Sequence, residues 1–114
     1  MDLNDFKWLN KSEMTADEDR ITVCAPGMTD YFNSPVPENG RLQKPQGDAP
    51  FFYTEITGDF VARVKAKPNF LTTYDAASLM MIHDENLWIK AAFEKSDFGT
   101  TAVVSVVTNT VSDD

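Results

Sequence analysis

The stretch Asn86-Leu87-Trp88-Ile89-Lys90-Ala91-Ala92-Phe93-Glu94-Lys95 decides the fold class. Read with a period of two, it places Leu87, Ile89, Ala91 and Phe93 on one side and Trp88, Lys90, Ala92 and Glu94 on the other, the alternation of a β-strand. A tryptophan, a lysine and a glutamate therefore share one face. Immediately upstream, Asp75 to His83 is apolar on both faces, with Leu79 and Met81 opposite Met80 and Ile82, as in an interior strand of a sandwich. His83-Asp84-Glu85-Asn86 reads as the turn between the two. Downstream, Ala102 to Thr108 is β-branched and almost continuously apolar, which makes it a third strand.

Further toward the N-terminus the pattern weakens. Phe51 to Thr57 and Asp59 to Lys67 read as two extended runs hinged at Gly58, the second with Phe60, Ala62, Val64 and Ala66 on an apolar face. Pro26 to Pro50 holds five of the six prolines together with Gly, Asn, Asp and Gln, which excludes helix interiors and central strands. A loop this long is expected to be a binding loop or a flap, and Tyr31-Phe32 suggests that it is anchored. Arg20 to Ala25 alternates as a strand. Thr15 to Glu18 has the spacing of a capping box but no helical apolar run follows it, so residues 1–19 read as loop or frayed turn. About seven short strands without an amphipathic helix predict an all-β sandwich or jelly roll forming a single domain over residues 1–114.

The chain has 114 residues, enough to bury roughly 65% of its unfolded surface. Eighteen acidic against ten basic residues give a net charge of -8, a field that repels phosphate backbones and anionic headgroups. Nucleic acid and membrane are accordingly not expected partners. The single cysteine, Cys24, cannot form an internal disulfide, and the N-terminal residues carry neither a basic nor an apolar leader pattern, so a cytoplasmic, reducing location is expected.

Chemistry-bearing patterns are sparse. One histidine and one cysteine are too few for a zinc site built from those ligands, no glycine-rich phosphate loop is present, and no cofactor or metal is expected. His83 and Asp84 are adjacent at a strand end and should point to opposite faces, which places them badly for a base and its orienting acid. A glycosidase needs two carboxylates about 5–9 Å apart. Asp17 and Asp19 have an i, i+2 spacing but sit in a charge run without aromatics, and Glu94 would need a partner such as Asp75 or Glu55 from a neighbouring strand. A calcium site at Asp17-Glu18-Asp19 lacks the EF-hand spacing, so a solvated loop is the simpler reading. No residue is assigned a catalytic role.

Aromatic rings beside polar groups on a sheet face can stack on a sugar ring while charged or amide groups take its hydroxyls. Trp8, Tyr31, Tyr74 and Trp88 are the candidates for such a role, each also readable as a core aromatic. The ligand-binding set expected from the sequence is Trp88, Lys90, Glu94, Asp30, Tyr31, Tyr74 and Asp75.

The order Trp8-Leu9-Asn10, Ile21-Thr22-Val23-Cys24-Ala25-Pro26, Thr29-Asp30-Tyr31-Phe32, Ala49-Pro50-Phe51-Phe52, Tyr74-Asp75-Ala76-Ala77, Leu87-Trp88-Ile89-Lys90 with Glu94, and Ser105-Val106-Val107-Thr108 resembles a family of domains of unknown function with a concanavalin-A-like fold, some of whose members are "regulation of enolase" proteins. The resemblance spans nearly the whole chain. It implies a two-sheet jelly roll of the legume-lectin and glucanase type and no established activity. It also implies further strands beyond the last one here, so a shortened sandwich is expected, completed by another subunit or left with an open face.

Three functional expectations result. The first is a lectin-like, non-catalytic binding module, with carbohydrate as the candidate ligand; the second is a protein-interaction or self-assembly domain; the third is a carbohydrate-active enzyme. An apolar last strand with few residues after it to cover it predicts a homo-oligomer.

Overall fold

The structure, a computed structural model, describes residues 2–17 and 20–113. Glu18 and Asp19, with the capping-box and calcium readings that used them, lie outside the described residues. The protein is nearly all-β and its paired strands run antiparallel. After a short 3-10 turn at Leu3–Asp5 come β1 (Lys7–Leu9), β2 (Glu13–Ala16), β3 (Ile21–Cys24), β4 (Tyr31–Phe32), β5 (Pro37–Glu38), β6 (Arg41–Leu42), β7 (Gln46–Gly47) and β8 (Phe51–Tyr53). The C-terminal part holds β9 (Ala76–Asp84), β10 (Leu87–Lys95), β11 (Thr101–Asn109) and β12 (Val111–Ser112). Two compact units emerge, residues 1–31 with 46–60 and residues 32–45 with 61–114.

In the first unit β1 pairs with β8, setting Trp8 against Phe52, and β2 pairs with β3, setting Met14 against Val23. The core here is aromatic. Phe52 stacks on Phe6 at 5.1 Å and meets Trp8 at 4.9 Å, while Phe51 stacks on Tyr53 at 5.3 Å and takes the edge of Tyr31 at 6.2 Å. Trp8 is thus a packing residue. The loop expected over residues 1–19 contains β1 and β2 because each finds its partner outside that segment, and a three-residue strand has no local signature. Asp17 closes the β2–β3 turn: its carboxylate accepts the Arg20 amide at 3.1 Å.

In the second unit the strand order is β12-β11-β10-β9. Ile89 sits opposite Met81 on one side and Val107 on the other; Trp88 sits between Ile82 and Thr108. β9, expected to be interior, is the edge strand of this sheet among the described residues. A tight hairpin joins β5 to β6 through Asn39 and Gly40, both at positive φ (51° and 75°), as a type I′ turn requires.

The extended runs flanking Gly58 form no hairpin. Gly58 does turn the chain, at φ 77°, but Phe51–Tyr53 pairs with β1, and residues 59–67 form no strand. Alternation there describes a chain able to be a strand; without a ladder partner it stays irregular, and Phe60, Val61 and Val64 are exposed.

Candidate functional site

β10 carries both faces of interest. Trp88 is only 4% exposed and Ala92 is buried, while Lys90 and Glu94 are half-buried. On the flanking β11 the same face holds buried Val106 and Thr108. The Trp88, Lys90, Glu94 stripe therefore belongs to the covered side of the sheet. Lys90 lies along it with its Nζ 5.6 Å from the Trp88 ring centroid, an arrangement a lysine achieves by burying its methylene stem and keeping its charge over the ring. The opposite face is the open one. Met81, Leu87, Ile89, Phe93, Val103 and Val107 are 36–77% exposed. Only Phe93 gains an aromatic neighbour there, Phe70, edge-on at 5.2 Å.

The period-two grouping read from sequence is the one observed, with the apolar stripe outward and the mixed stripe inward. A ring offered to a sugar has to reach solvent, and the Trp88 ring does not.

Tyr74 and Asp75 lie at the far end of the sheet from Trp88. The Tyr74 amide donates to the Lys95 carbonyl at 2.7 Å and the Lys95 amide to the Asp75 carbonyl at 3.0 Å, which places both beside the end of β10, roughly 20 Å along the strand from Trp88. Tyr74 is 64% exposed and holds φ at 71°, a left-handed conformation unusual for a bulky side chain. The Asp75 carboxylate accepts the amides of Leu71 and Thr72, both at 2.9 Å, and the Thr72 hydroxyl at 3.0 Å. These donors, the Thr72 amide foremost, hold its pKa below the ordinary carboxylate value. Its oxygens are engaged in a turn, which removes Asp75 as the catalytic partner of Glu94.

Asp30 and Tyr31 belong to the first unit. Asp30 and Asp48 clasp each other through the backbone: the Asp30 amide donates to the Asp48 carboxylate at 2.9 Å and the Asp48 amide to the Asp30 carbonyl at 3.1 Å. The Asp30 amide, then the Gln46 side chain, lower the Asp48 pKa. Burial raises the Tyr31 pKa, against the hydrogen bond it accepts from Asn10 at 3.1 Å.

Two asparagines do what the sequence did not announce. Asn10, at φ 58°, donates its side-chain amide to the Tyr31 hydroxyl and to the carbonyls of Gly47 (2.9 Å) and Ala49 (3.0 Å), pinning both ends of a loop. Asn33, 3% exposed, donates its backbone amide to the Ser112 hydroxyl at 3.0 Å and its side-chain amide to the carbonyls of Glu85 (3.2 Å) and Thr110 (3.1 Å). One residue thereby ties the β9–β10 turn to the β11–β12 turn. An asparagine among prolines and glycines reads as a turn former, and only the Asn39-Gly40 pair carried a specific signal.

His83 and Asp84 do meet, contrary to the strand-geometry expectation: His83 Nδ1 lies 3.1 Å from Asp84 Oδ2. The strand ends at this point, and a register irregularity at Leu87/Trp88 releases the side chains from strict alternation. Asp84 also accepts the Asn86 amide at 2.8 Å; that bond, then His83, lowers its pKa. Both side chains are largely exposed, and the contact shapes a turn. Among the described residues no three His, Cys, Asp or Glu side chains are grouped to hold a metal, and no helix is long and apolar enough to cross a membrane.

With this geometry in place, the relationships of the chain are informative. The chain belongs to the family described as a protein of unknown function (DUF1349), which matches residues 8–114. It is similar to "Regulation of enolase protein 1" of Saccharomyces cerevisiae (strain ATCC 204508 / S288c), 31% identical over 114 residues that make up 98% of this chain and 54% of that protein. The chain thus spans about half the length of the curated relative it matches. No solved structure matches it.

Proposed function

We propose that this chain is a non-catalytic interaction module that pairs with a second copy of itself through the outer face of β9, β10 and β11. The observation that carries the proposal is the exposure of Met81, Leu87, Ile89, Phe93, Val103 and Val107 on one continuous face. In the register of the sheet no charged residue falls on that face between the Phe93 row and the Ile89 row, although the chain as a whole carries 28 charged residues. Side chains of this size, exposed to this degree, present roughly 500 Å² of apolar area. Two copies stacked about a two-fold axis would cover about 1,000 Å², the lower bound for a specific interface. A flat uncharged face is complementary to itself, whereas a partner selected by charge would find nothing to read. The carbohydrate reading loses its main support with the covered Trp88 ring. A relative named for regulation fits a module that acts by contact.

The test is sedimentation equilibrium over a wide concentration range, on the natural chain and on Val103→Lys. The natural chain should shift from 12.8 kDa toward twice that mass with a Kd on the order of 1–100 μM. Val103→Lys should remain at the monomer mass with an unchanged circular dichroism spectrum. A single 12.8 kDa species of the natural chain up to several hundred micromolar overturns self-pairing.

A further inference from the structure

Beside Asn33, within the second unit, lies a hollow of about 280 Å³. It is slightly smaller than the roughly 300–1,000 Å³ typical of pockets for drug-sized ligands, so it suits a molecule of monosaccharide size. Its polar wall is made by Asn33, Ser34, Gln43, Asn86 and Thr110, with Lys44 the only charged residue, and its apolar wall by Leu42, Pro45 and Val111. We infer that this hollow is a binding site for one small neutral polyol, independent of the pairing face.

Three observations carry the inference. The first is an unsatisfied group: Asn33 Oδ1 is buried with no hydrogen-bond partner, and the two bonds donated by Nδ2 fix the orientation of the amide. A buried acceptor of this kind calls for a donor, either an ordered water or a ligand hydroxyl that displaces it. The second is the chemistry of the wall. Amides and hydroxyls both donate and accept, which matches the hydroxyls of a polyol; an anion would call for more than one cation, and a cationic ligand for a carboxylate, of which the wall has none. The third is rigidity. Gln43 Nε2 donates to the Val36 carbonyl at 2.8 Å and to the Ser34 hydroxyl at 3.3 Å, and the Thr110 amide to the Asn86 carbonyl at 2.7 Å, so the rim is held before any ligand arrives. No aromatic ring lines the hollow, and affinity is correspondingly expected on the order of 1–10 mM.

The experiment is a nitrogen-15 NMR titration of the side-chain amides with methyl glucoside, methyl galactoside, methyl mannoside and glycerol, with acetate and ammonium salts as charged comparisons. The amide signals of Asn33, Gln43 and Asn86 should move saturably with at least one polyol. Asn86→Ala, which leaves the backbone bonds of the turn in place, should weaken that binding at least fivefold, and Lys44→Ala should change it less than twofold. Absence of a saturable shift up to about 100 mM of every polyol overturns the inference. So does tighter binding of acetate that Lys44→Ala abolishes, or tighter binding of ammonium. Val103→Lys should bind the polyol as the natural chain does, so this result stands or falls separately from self-pairing.

Discussion

Replacing Trp88 with alanine probes the covered face most directly. The ring is 4% exposed and is flanked by Ile82 and Thr108 on the neighbouring strands. Removing it returns roughly 200 Å² of apolar burial, worth about 5 kcal/mol at 25 cal/mol per Å² as an upper figure. Large-to-small aromatic substitutions in cores cost about 3–5 kcal/mol, and loss of the Lys90 ammonium over the ring adds about 0.5–1 kcal/mol. In urea, at about 2 kcal/mol per M, the unfolding midpoint should therefore fall by about 2 M. The assay is far-UV circular dichroism, since fluorescence would lose one of its two tryptophans. Trp88→Phe, which keeps an aromatic ring, should retain more than half of the lost stability. A loss below about 1 kcal/mol for Trp88→Ala would refute the reasoning, because a packed ring cannot be deleted that cheaply.

Ser112→Ala removes the acceptor of the Asn33 amide and the partner of the buried Thr108 hydroxyl, 2.8 Å away, and should cost about 1–3 kcal/mol in urea unfolding. Tyr74→Gly should raise the melting temperature slightly or leave it unchanged, because glycine accepts the φ of 71° without strain while the lost side chain is mostly exposed. Asp75 has a depressed folded-state pKa, so its stabilisation is present above the unfolded value of about 3.9 and is lost as pH falls through the folded value; Asp75→Asn should flatten that part of the stability profile between pH 5 and pH 2, with the urea midpoint as readout. Self-pairing of chains carrying a net charge of -8 should tighten when sodium chloride is raised, and sedimentation at low and high salt checks the sign.

Residue order alone settled which side chains travel together. Leu87, Ile89, Ala91 and Phe93 share a face because consecutive residues of a strand alternate, and this holds wherever the strand is placed. The β9–β10–β11 meander was legible for the same reason: each strand is long, and its partner is the next element in the chain. The all-β class and the family resemblance likewise needed no coordinates. Tertiary structure alone decided which of the two faces is covered, because alternation has no sign; the more polar stripe of Trp88, Lys90 and Glu94 went inward and the apolar stripe outward. It also decided the pairing of Lys7–Leu9 with Phe51–Tyr53, where three-residue strands meet across more than forty residues, and the absence of a strand from residues 59–67. A ladder exists only when a second chain segment arrives to share its hydrogen bonds, and nothing local records that arrival. The same holds for Asn33, whose three partners come from Glu85, Thr110 and Ser112, and for the hollow beside it.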